Sequence, residues 1–282
     1  MFSKDLKDVR FLAEISRKIY YTQGVFLTNI FREVACGEMP TILLIRHGES
    51  QSNAGRATSC PESIELTDRG QKEAEFVARE IRKSYPSLDL IVTSSYTRAK
   101  DTAQWTERLF RDRGVPTKTW PVHEFTYLST WGARNSTAEE RRPAVLQYWE
   151  QSNPSVPDGP GAESFEHFID RVKKVKEDLD TIRGTVAVFS HHQFICALLW
   201  LSEQSSLEIN AQTMRDFRNF LDGHPIPNGA IVRVQFEDGG GRWHYEILTS
   251  HLSPLKGGGT DKDASLRPPK TPASARLSRA AN

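Results

Sequence analysis

Arginine and histidine stand side by side at the end of an apolar run in "LLIRHGESQSN" (residues 43–53). The continuous apolar residues over 41–45 predict a strand that is buried on both faces, so Arg46 and His47 would lie where the chain leaves the core. An arginine guanidinium presents a planar fork of N–H donors that suits a tetrahedral oxyanion such as phosphate. A neutral imidazole held beside it can attack phosphorus. The stretch therefore indicates phosphoryl chemistry at a strand end.

Chemically capable side chains also follow the other predicted strands. They are Arg98 after the strand predicted over 88–94, His191 and His192 at the end of the strand predicted over 185–191, and Glu124 in the extended stretch "WPVHEF". Ligands of open parallel α/β sheets bind beyond the carboxyl ends of the strands. We therefore expect these side chains to converge on one rim of the sheet.

Each of these residue types has a place in phosphoryl transfer. A second histidine can hold the phosphoryl oxygens and stabilise their charge in the transition state. A carboxyl group at the rim can give the departing alcohol its proton. The sequence contains no evident Walker loop, no Asp-x-Asp motif and no cluster of carboxylates suited to Mg²⁺. We therefore expect transfer without a metal or another cofactor, in which arginines supply the positive charge.

The segments between the predicted strands have the apolar spacing of amphipathic helices. We predict helices over 66–85, from about Tyr96 onward, over 163–182 and over 193–201, and a hairpin over 229–248. Buried strands that alternate with helices predict an α/β fold with a mostly parallel sheet, covered by helices on both faces.

The chain divides into three parts by composition. Residues 40–253 form the predicted catalytic domain, in which residues 119–160, with a helix near 138–151, are an insertion over one end of the sheet. Residues 1–39 predict a helical extension that docks on the core, with a membrane-surface or dimer contact as the alternative. Residues 254–282 are rich in Gly, Pro, Ser and Ala and predict a disordered tail.

The bulk composition excludes several classes of function. The formal net charge is +1 over 282 residues, which gives no basic field for nucleic acid. The three cysteines are far apart and match no metal-binding spacing, as expected in a reducing compartment. No apolar run reaches the roughly 18 residues of a membrane span, and the N-terminus lacks the basic region of a secretory signal. We expect a cytoplasmic enzyme, with a homodimer left open.

These residues also carry a resemblance to a known family. The segments "LLIRHGESQSN" (43–53), "LTDRGQKEA" (66–74), "VTSSYTRAKDTA" (92–103) and "GTVAVFSHHQF" (184–194) resemble the histidine phosphatase superfamily, also called phosphoglycerate mutase-like, and occur in that family's order. The resemblance covers most of residues 41 to about 200. It implies a three-layer α/β sandwich and a phosphohistidine intermediate formed without a metal.

The resemblance also implies roles by position. His47 matches the nucleophile, Arg46, Arg98 and His191 the rest of the phosphate pocket, Asn53 an accessory phosphate contact, and Glu124 the proton donor. Glu49 matches the acidic position after the motif's glycine, where we expect an orienting hydrogen-bond partner.

Two departures from the family pattern bear on the substrate. His192 stands where the family usually has glycine, and its imidazole would narrow the pocket or contact the substrate. The Gly and Trp that usually follow the acid soon after it occur later in this sequence, as Trp131 and Gly132. We therefore expect substrate specificity to lie in the 119–160 insertion and at His192.

The reading we favour is an acid or broad-specificity phosphatase that hydrolyses small-molecule phosphate monoesters. A phosphoglycerate mutase is the alternative, in which Arg141 and Arg142 would hold the substrate carboxylate. A phosphate-binding scaffold protein of the same fold is a further alternative, although every core pocket residue is present.

Overall fold

The computed structural model describes residues 40–204, 206–236 and 243–258. The helical extension predicted over 1–39 and most of the tail predicted over 254–282 lie outside these residues. The predicted start of the tail at 254 falls inside a 3₁₀ helix, Ser250–Gly258, so that ordered structure extends past the expected boundary.

Six described strands form one sheet in the order β3-β2-β4-β1-β5-β6. Strands β1 to β4 run parallel, whereas β5 lies antiparallel to β1 and forms a hairpin with β6. This confirms the predicted mostly parallel sheet. The strands are β1 (Thr41–Arg46), β2 (Leu90–Thr93), β3 (Thr117–Thr119), β4 (Thr185–Ser190), β5 (Ile231–Phe236) and β6 (Trp243–Leu248).

Helices cover both faces of this sheet, which confirms the predicted three-layer sandwich. The helices are α1 (Asp68–Ser84), α2 (Thr97–Leu109), α3 (Ala138–Gln151), α4 (Phe165–Asp180), α5 (His192–Ser202) and α6 (Ala211–Gly223), with 3₁₀ turns at Pro61–Ser63 and Arg111–Arg113. Residues of α1 and α2 pack against one face, and residues of α3 to α6 pack against the other. The sequence analysis did not identify α6, although Asn210 caps its first turn.

The central strand β1 shows why its sequence is apolar throughout. Ile42 and Leu44 belong to the core cluster on one face of the sheet, and Leu43 and Ile45 belong to the cluster on the other face. All four side chains are fully buried. Successive side chains of a strand point to opposite faces, so a strand covered on both sides needs no polar alternation.

The chain is held tightly where it leaves β1. A Cβ atom on Gly70 would lie 2.0 Å from the carbonyl oxygen of Glu49, and one on Gly48 would lie 2.4 Å from the carbonyl oxygen of Gly70. Both positions therefore require glycine for close approach of two backbones. Thr67 caps α1 by accepting the Gly70 N–H at 3.1 Å. These contacts fix the course of the loop that follows His47.

Candidate active site

His47 lies at the carboxyl end of β1 and is 3% exposed. Its Nδ1 lies 2.7 Å from the carbonyl oxygen of Gly48, which can only accept a hydrogen bond. Its Nε2 lies 3.1 Å from Nε of Arg98, which can only donate. Both neighbours therefore require the same tautomer, with the proton on Nδ1 and the lone pair on Nε2. The imidazole is thus oriented with its Nε2 lone pair toward the arginine, from which it accepts a hydrogen bond.

Arg98 comes from the first turn of α2 and is 6% exposed. Besides its bond to His47, it donates from Nη1 to the carbonyl oxygen of Pro61 at 2.6 Å. Its guanidinium carbon lies 5.0 Å from the centre of the Tyr96 ring. Burial lowers the pKa of Arg98 to about 10, so the guanidinium stays charged at neutral pH. The arginine is therefore a fixed, largely desolvated cation beside the imidazole.

His191 follows β4 and occupies the N-cap position of helix α5, without a side-chain capping hydrogen bond. It is fully buried, and its ring centre lies 5.1 Å from that of His47. Its Nε2 shares a hydrogen bond of 2.9 Å with Oγ of Ser94, which follows β2 and also accepts the Tyr96 N–H. Its Nδ1 has no hydrogen-bond partner among the described residues. The strand ends of β1, β2 and β4 therefore meet, as predicted.

Glu124 reaches the same site from the insertion. Its Oε1 accepts the backbone N–H groups of Phe125 at 3.2 Å and of Gln193, in the first turn of α5, at 3.1 Å. Burial raises the pKa of Glu124, and the nearby charge of Arg98 opposes that rise. A carboxyl group in this setting keeps its proton to higher pH than an ordinary glutamate.

The pKa of His47 lies well below its usual value. Burial is the largest cause, and the positive charges of Arg98 and Arg46 add to it. Burial and Arg98 likewise lower the pKa of His191. Both imidazoles are therefore neutral near pH 7, the state in which a histidine can act as a nucleophile.

Arg46 is held by a segment that the sequence analysis did not identify. Its Nη1 donates to the carbonyl oxygen of Ile226 at 2.6 Å. In the same segment, the side-chain amide of Asn228 donates to the carbonyl oxygen of His47 at 3.0 Å and to Oδ1 of Asn53 at 3.1 Å. The only sequence signal here was the Asn228–Gly229 pair, which predicts a turn and not a functional position.

Asn53 and Glu49 have different surroundings. Oδ1 of Asn53 also accepts from the backbone and hydroxyl of Ser50, which keeps Asn53 in the loop that begins at His47. The carboxylate of Glu49 instead accepts from Thr67 at 2.7 Å. Glu49 therefore holds the residue that caps α1, which is an orienting contact of the kind expected for it.

His192 turns toward the segment that follows α6. Its Nε2 donates to the carbonyl oxygen of His224 at 3.1 Å. Burial and the charge of Arg46 lower its pKa to about 4, so the ring is neutral near pH 7. The ring therefore ties α5 to the segment that holds Arg46. His192 is not among the residues that line the cavity beside Arg98 and Glu124, and its contact with a substrate stays a prediction.

The two arginines of helix α3 differ in position. Arg141 lines that cavity and donates to the backbone and hydroxyl of Ser136. Arg142 is exposed and pairs with Glu139 at 3.5 Å. Of the two arginines expected to hold a substrate carboxylate, only Arg141 is among the described residues that line the cavity, because adjacent residues on a helix point in different directions.

Arg171 and Glu163 form an ion pair that the sequence analysis did not identify, and Arg171 also holds the segment that carries Glu124. Arg171 on α4 makes a two-pronged pair with Glu163, with N–O distances of 2.9 and 2.7 Å. Its Nη1 also donates to the carbonyl oxygens of Pro121 and His123. The guanidinium thus anchors the backbone immediately before the acid.

A cavity of about 260 Å³ opens beside Arg98 and Glu124. Residues 58–64, residues 124–130 and helix α3 form its walls. We call this space the lateral cavity. Its lining residues include Pro61, Ile64, Tyr96, Phe125, Tyr127, Leu128, Arg141 and Val145.

Comparison with known proteins identifies the class to which this fold and site belong. The model of the histidine phosphatase superfamily (branch 1) matches residues 42–246. The chain therefore belongs to the histidine phosphatase superfamily. Among the described residues, no helix is both long and apolar enough to cross a membrane, and no group of His, Cys, Asp and Glu has the arrangement of a metal site.

Individual relatives are more distant. A 2,3-bisphosphoglycerate-dependent phosphoglycerate mutase of Staphylococcus aureus (strain JH9) is 28% identical over 137 residues, which are 46% of this chain and 58% of the mutase. The chain thus spans little more than half the length of this curated relative.

Two solved structures share the fold. A phosphoserine phosphatase from Entamoeba histolytica in complex with 3-phosphoglyceric acid has a TM-score of 0.56 at 22% identity, and the match covers 76% of this chain and all of that one. A mycobacterial glucosyl-3-phosphoglycerate phosphatase in complex with VO₃ has a TM-score of 0.55 at 20% identity, with 74% and 98% covered.

Proposed function

We propose that the protein is a metal-independent phosphatase that hydrolyses phosphate monoesters through a phosphohistidine on His47. The observation that carries the proposal is the arrangement of that ring. Gly48 holds the proton on Nδ1, and the lone pair of Nε2 faces the buried guanidinium of Arg98. A nucleophile beside a fixed cation is suited to attack a dianionic phosphoryl group.

Two arginines, His191 and the N-terminus of α5 would stabilise the phosphoryl oxygens. The Nε–H of Arg98, which donates to His47 in this structure, would donate to a phosphoryl oxygen instead. Arg46 adds positive charge nearby. His191, whose Nδ1 is buried without a partner among the described residues, would hydrogen-bond a third oxygen. The N-terminus of α5 faces the same region and favours negative charge.

The first chemical step forms the bond between Nε2 of His47 and phosphorus while the ester P–O bond breaks. The carboxyl group of Glu124 gives its proton to the departing alcohol oxygen. In the second step water attacks phosphorus, the N–P bond breaks, and the proton of the water returns to Glu124. Inorganic phosphate leaves, and both residues regain their starting states.

Hydrolysis is favoured over the mutase alternative by the position of the α3 arginines. A mutase must hold the carboxylate of a phosphoglycerate, for which we had expected Arg141 and Arg142. Arg142 is exposed and pairs with Glu139. Among the described residues that line the cavity, Arg141 therefore has no second cation beside it on α3 to help bind a carboxylate. The names of the two solved relatives, both phosphatases, agree with this choice. A cytoplasmic location and a homodimer stay predictions.

A ³¹P NMR time course distinguishes the two activities. The protein is incubated with 3-phosphoglycerate, and in parallel with p-nitrophenyl phosphate as an activated ester. We expect inorganic phosphate from the activated ester, and from 3-phosphoglycerate either inorganic phosphate or no reaction. The appearance of 2-phosphoglycerate without free phosphate would overturn the proposal in favour of a mutase.

A further inference from the structure

The lateral cavity begins at the two groups that the proposed mechanism places on either side of the ester oxygen. Arg98 would contact the phosphoryl group, and Glu124 would protonate the alcohol, and both line the cavity. An ester bound at His47 would therefore direct its alcohol portion into this space. The walls of the cavity should determine which alcohols are accepted.

These walls are mainly apolar beyond the catalytic end. The larger apolar side chains of the lining are Pro61, Ile64, Phe125, Tyr127, Leu128 and Val145, and the uncharged polar ones include Thr58, Ser59, Thr126 and Thr130. Among the described residues, the charged side chains of the lining are Arg98, Glu124 and Arg141. The guanidinium of Arg141 already donates to Ser136 and to Oγ of Ser52 at 3.4 Å. These acceptors are uncharged, so Arg141 is a single cation in a wall that is otherwise mostly apolar.

The aromatic part of the wall is preformed. The ring of Tyr127 stacks on Tyr148 with 4.8 Å between centres, and the ring of Phe125 stacks on Phe168 at 4.3 Å. The hydroxyl of Tyr96 shares a hydrogen bond of 3.0 Å with Thr126. Such a wall would lose little freedom when it binds a flat or bulky group, which favours affinity.

We propose that the preferred substrates are phosphate monoesters whose alcohol carries an uncharged, ring-sized apolar group. This inference rests on the proposed function. A dry apolar cavity of roughly 150 Å³ is large enough for benzene. The lateral cavity, at about 260 Å³, has room for one ring and a short linker to the ester oxygen. Small acids with a second negative charge would meet one cation, Arg141, and would leave the apolar lining unused.

The test compares esters of equal intrinsic reactivity. We would measure kcat/KM for 2-phenylethyl phosphate, ethyl phosphate and 3-phosphoglycerate, all esters of alkyl alcohols, so that leaving-group chemistry does not decide the result. We expect kcat/KM for 2-phenylethyl phosphate to be at least about tenfold higher than for either of the others, an effect of the size that one buried apolar group gives.

Substitutions in the lining of the lateral cavity test whether the preference for an apolar alcohol arises there. Val145→Asn on α3 and Ile64→Asn in the 58–64 segment of the lining should each reduce the phenylethyl-to-ethyl ratio several-fold. Leu146→Asn is the matched control, since Leu146 is the next residue of the same helix and is 57% exposed outside the cavity. Thermal melting of each variant shows whether it is folded, and two walls are tested so that one unstable variant does not decide the outcome.

Failure of this inference is distinguishable from failure of the proposed function. If His47-dependent activity is present but 3-phosphoglycerate is preferred, or if the wall variants leave the ratio unchanged, the apolar preference is wrong and the phosphatase stands. If no ester is turned over, or if His47→Asn retains activity, the proposed function is itself wrong, and this inference falls with it.

Discussion

The two ends of the site are built from different kinds of structure. The phosphate end, which we define as His47, Arg98, His191 and Ser94, lies where three strands of one sheet finish, and all four side chains are buried. The alcohol end, which we define as Glu124 with the lateral cavity, is built from residues 58–64, residues 124–130 and helix α3. The first is part of the core, whereas the second is carried by connecting segments.

This difference assigns the two ends separate tasks. Side chains at strand ends inherit the rigidity of the sheet, which suits a nucleophile and an arginine that must keep a fixed geometry. Connecting segments tolerate sequence change without loss of the core, which suits the recognition of one alcohol among many. The rate of phosphoryl transfer should therefore depend on the phosphate end, and the selectivity among alcohols should depend on the alcohol end.

The largest predicted effect comes from removing the nucleophile at the phosphate end. His47→Asn should reduce kcat/KM for p-nitrophenyl phosphate by about 10⁴-fold or more, since the covalent route is lost. Steady-state assays of the purified variant check this, with thermal melting as the control for folding. Retention of most of the activity would show that another group attacks phosphorus.

Loss of the acid at the alcohol end should have a smaller effect that depends on the ester. Glu124→Gln should lower kcat for ethyl phosphate by about 10²- to 10³-fold, within the range of general acid catalysis. The loss should be much smaller for p-nitrophenyl phosphate, because its leaving group departs without a proton. Equal losses with both esters would argue that Glu124 acts by position and not as an acid.

The pH dependence should report one group from each end. His47 must be neutral, and its pKa lies well below 6.5, so activity should fall only in distinctly acidic solution. Glu124 must be protonated, and its pKa is raised above 4.5, so activity should fall again as pH increases past that raised value. We expect a bell-shaped kcat/KM profile for ethyl phosphate, whose alkaline limb is absent in Glu124→Gln. A wild-type profile with no alkaline limb up to about pH 9, or an alkaline limb that persists in Glu124→Gln, would contradict the role of Glu124 as the acid.

A moderate loss of activity should follow from removing the hydrogen bonds that Asn228 makes to the loop of the phosphate end. Asn228 donates to the carbonyl oxygen of His47 and to Asn53, both of which are acceptors. Asn228→Ala should lower kcat about tenfold with little change in KM, since positioning and not binding is affected. Asn228→Asp has nearly the same shape but offers only acceptors, so it should be worse than alanine. An aspartate variant as active as the wild type would exclude this positioning role.

The smallest effects should be found at the outer edge of the alcohol end. Arg142→Ala should keep kcat/KM for every ester within about twofold, because its exposed pair with Glu139 contributes little. Arg141→Ala should raise KM several-fold, because this side chain ties the cavity wall to Ser136 and Ser52. KM measurements on the two variants check the contrast, and a larger effect at Arg142 would reverse our assignment of the helix face.

The same division explains how much could be predicted from sequence. The phosphate end follows from local patterns, since each apolar strand is directly followed by its functional side chain, and a parallel sheet brings such ends together. The fold class and the meeting of His47, Arg98 and His191 could therefore be predicted. Asn228 could not, because its role depends on a contact with a loop more than 170 residues away in sequence.

At the alcohol end, the rotation of helix α3 about its axis determines which of its side chains line the cavity. Arg141 and Arg142 look alike in the sequence, but the face of α3 determines which of them meets the cavity, and its apolar spacing was too weak to fix that face. The late Trp131 that we had noted is 66% exposed and packs under Arg134, outside the cavity lining. Helix α6 could have been found, since Asn210 and the spacing of Met214, Phe217 and Leu221 are sufficient signals.

The central claim is that the phosphoryl group is transferred to His47. Trapping of the phosphohistidine intermediate tests this claim most directly. The protein would be mixed with p-nitrophenyl phosphate, quenched in alkali within milliseconds, digested, and analysed by mass spectrometry. We expect an acid-labile phosphoryl group on the peptide that contains His47, and none on that peptide in His47→Asn. Phosphate on another residue, or turnover by the wild type with no phosphorylated peptide at any quench time, would contradict the account.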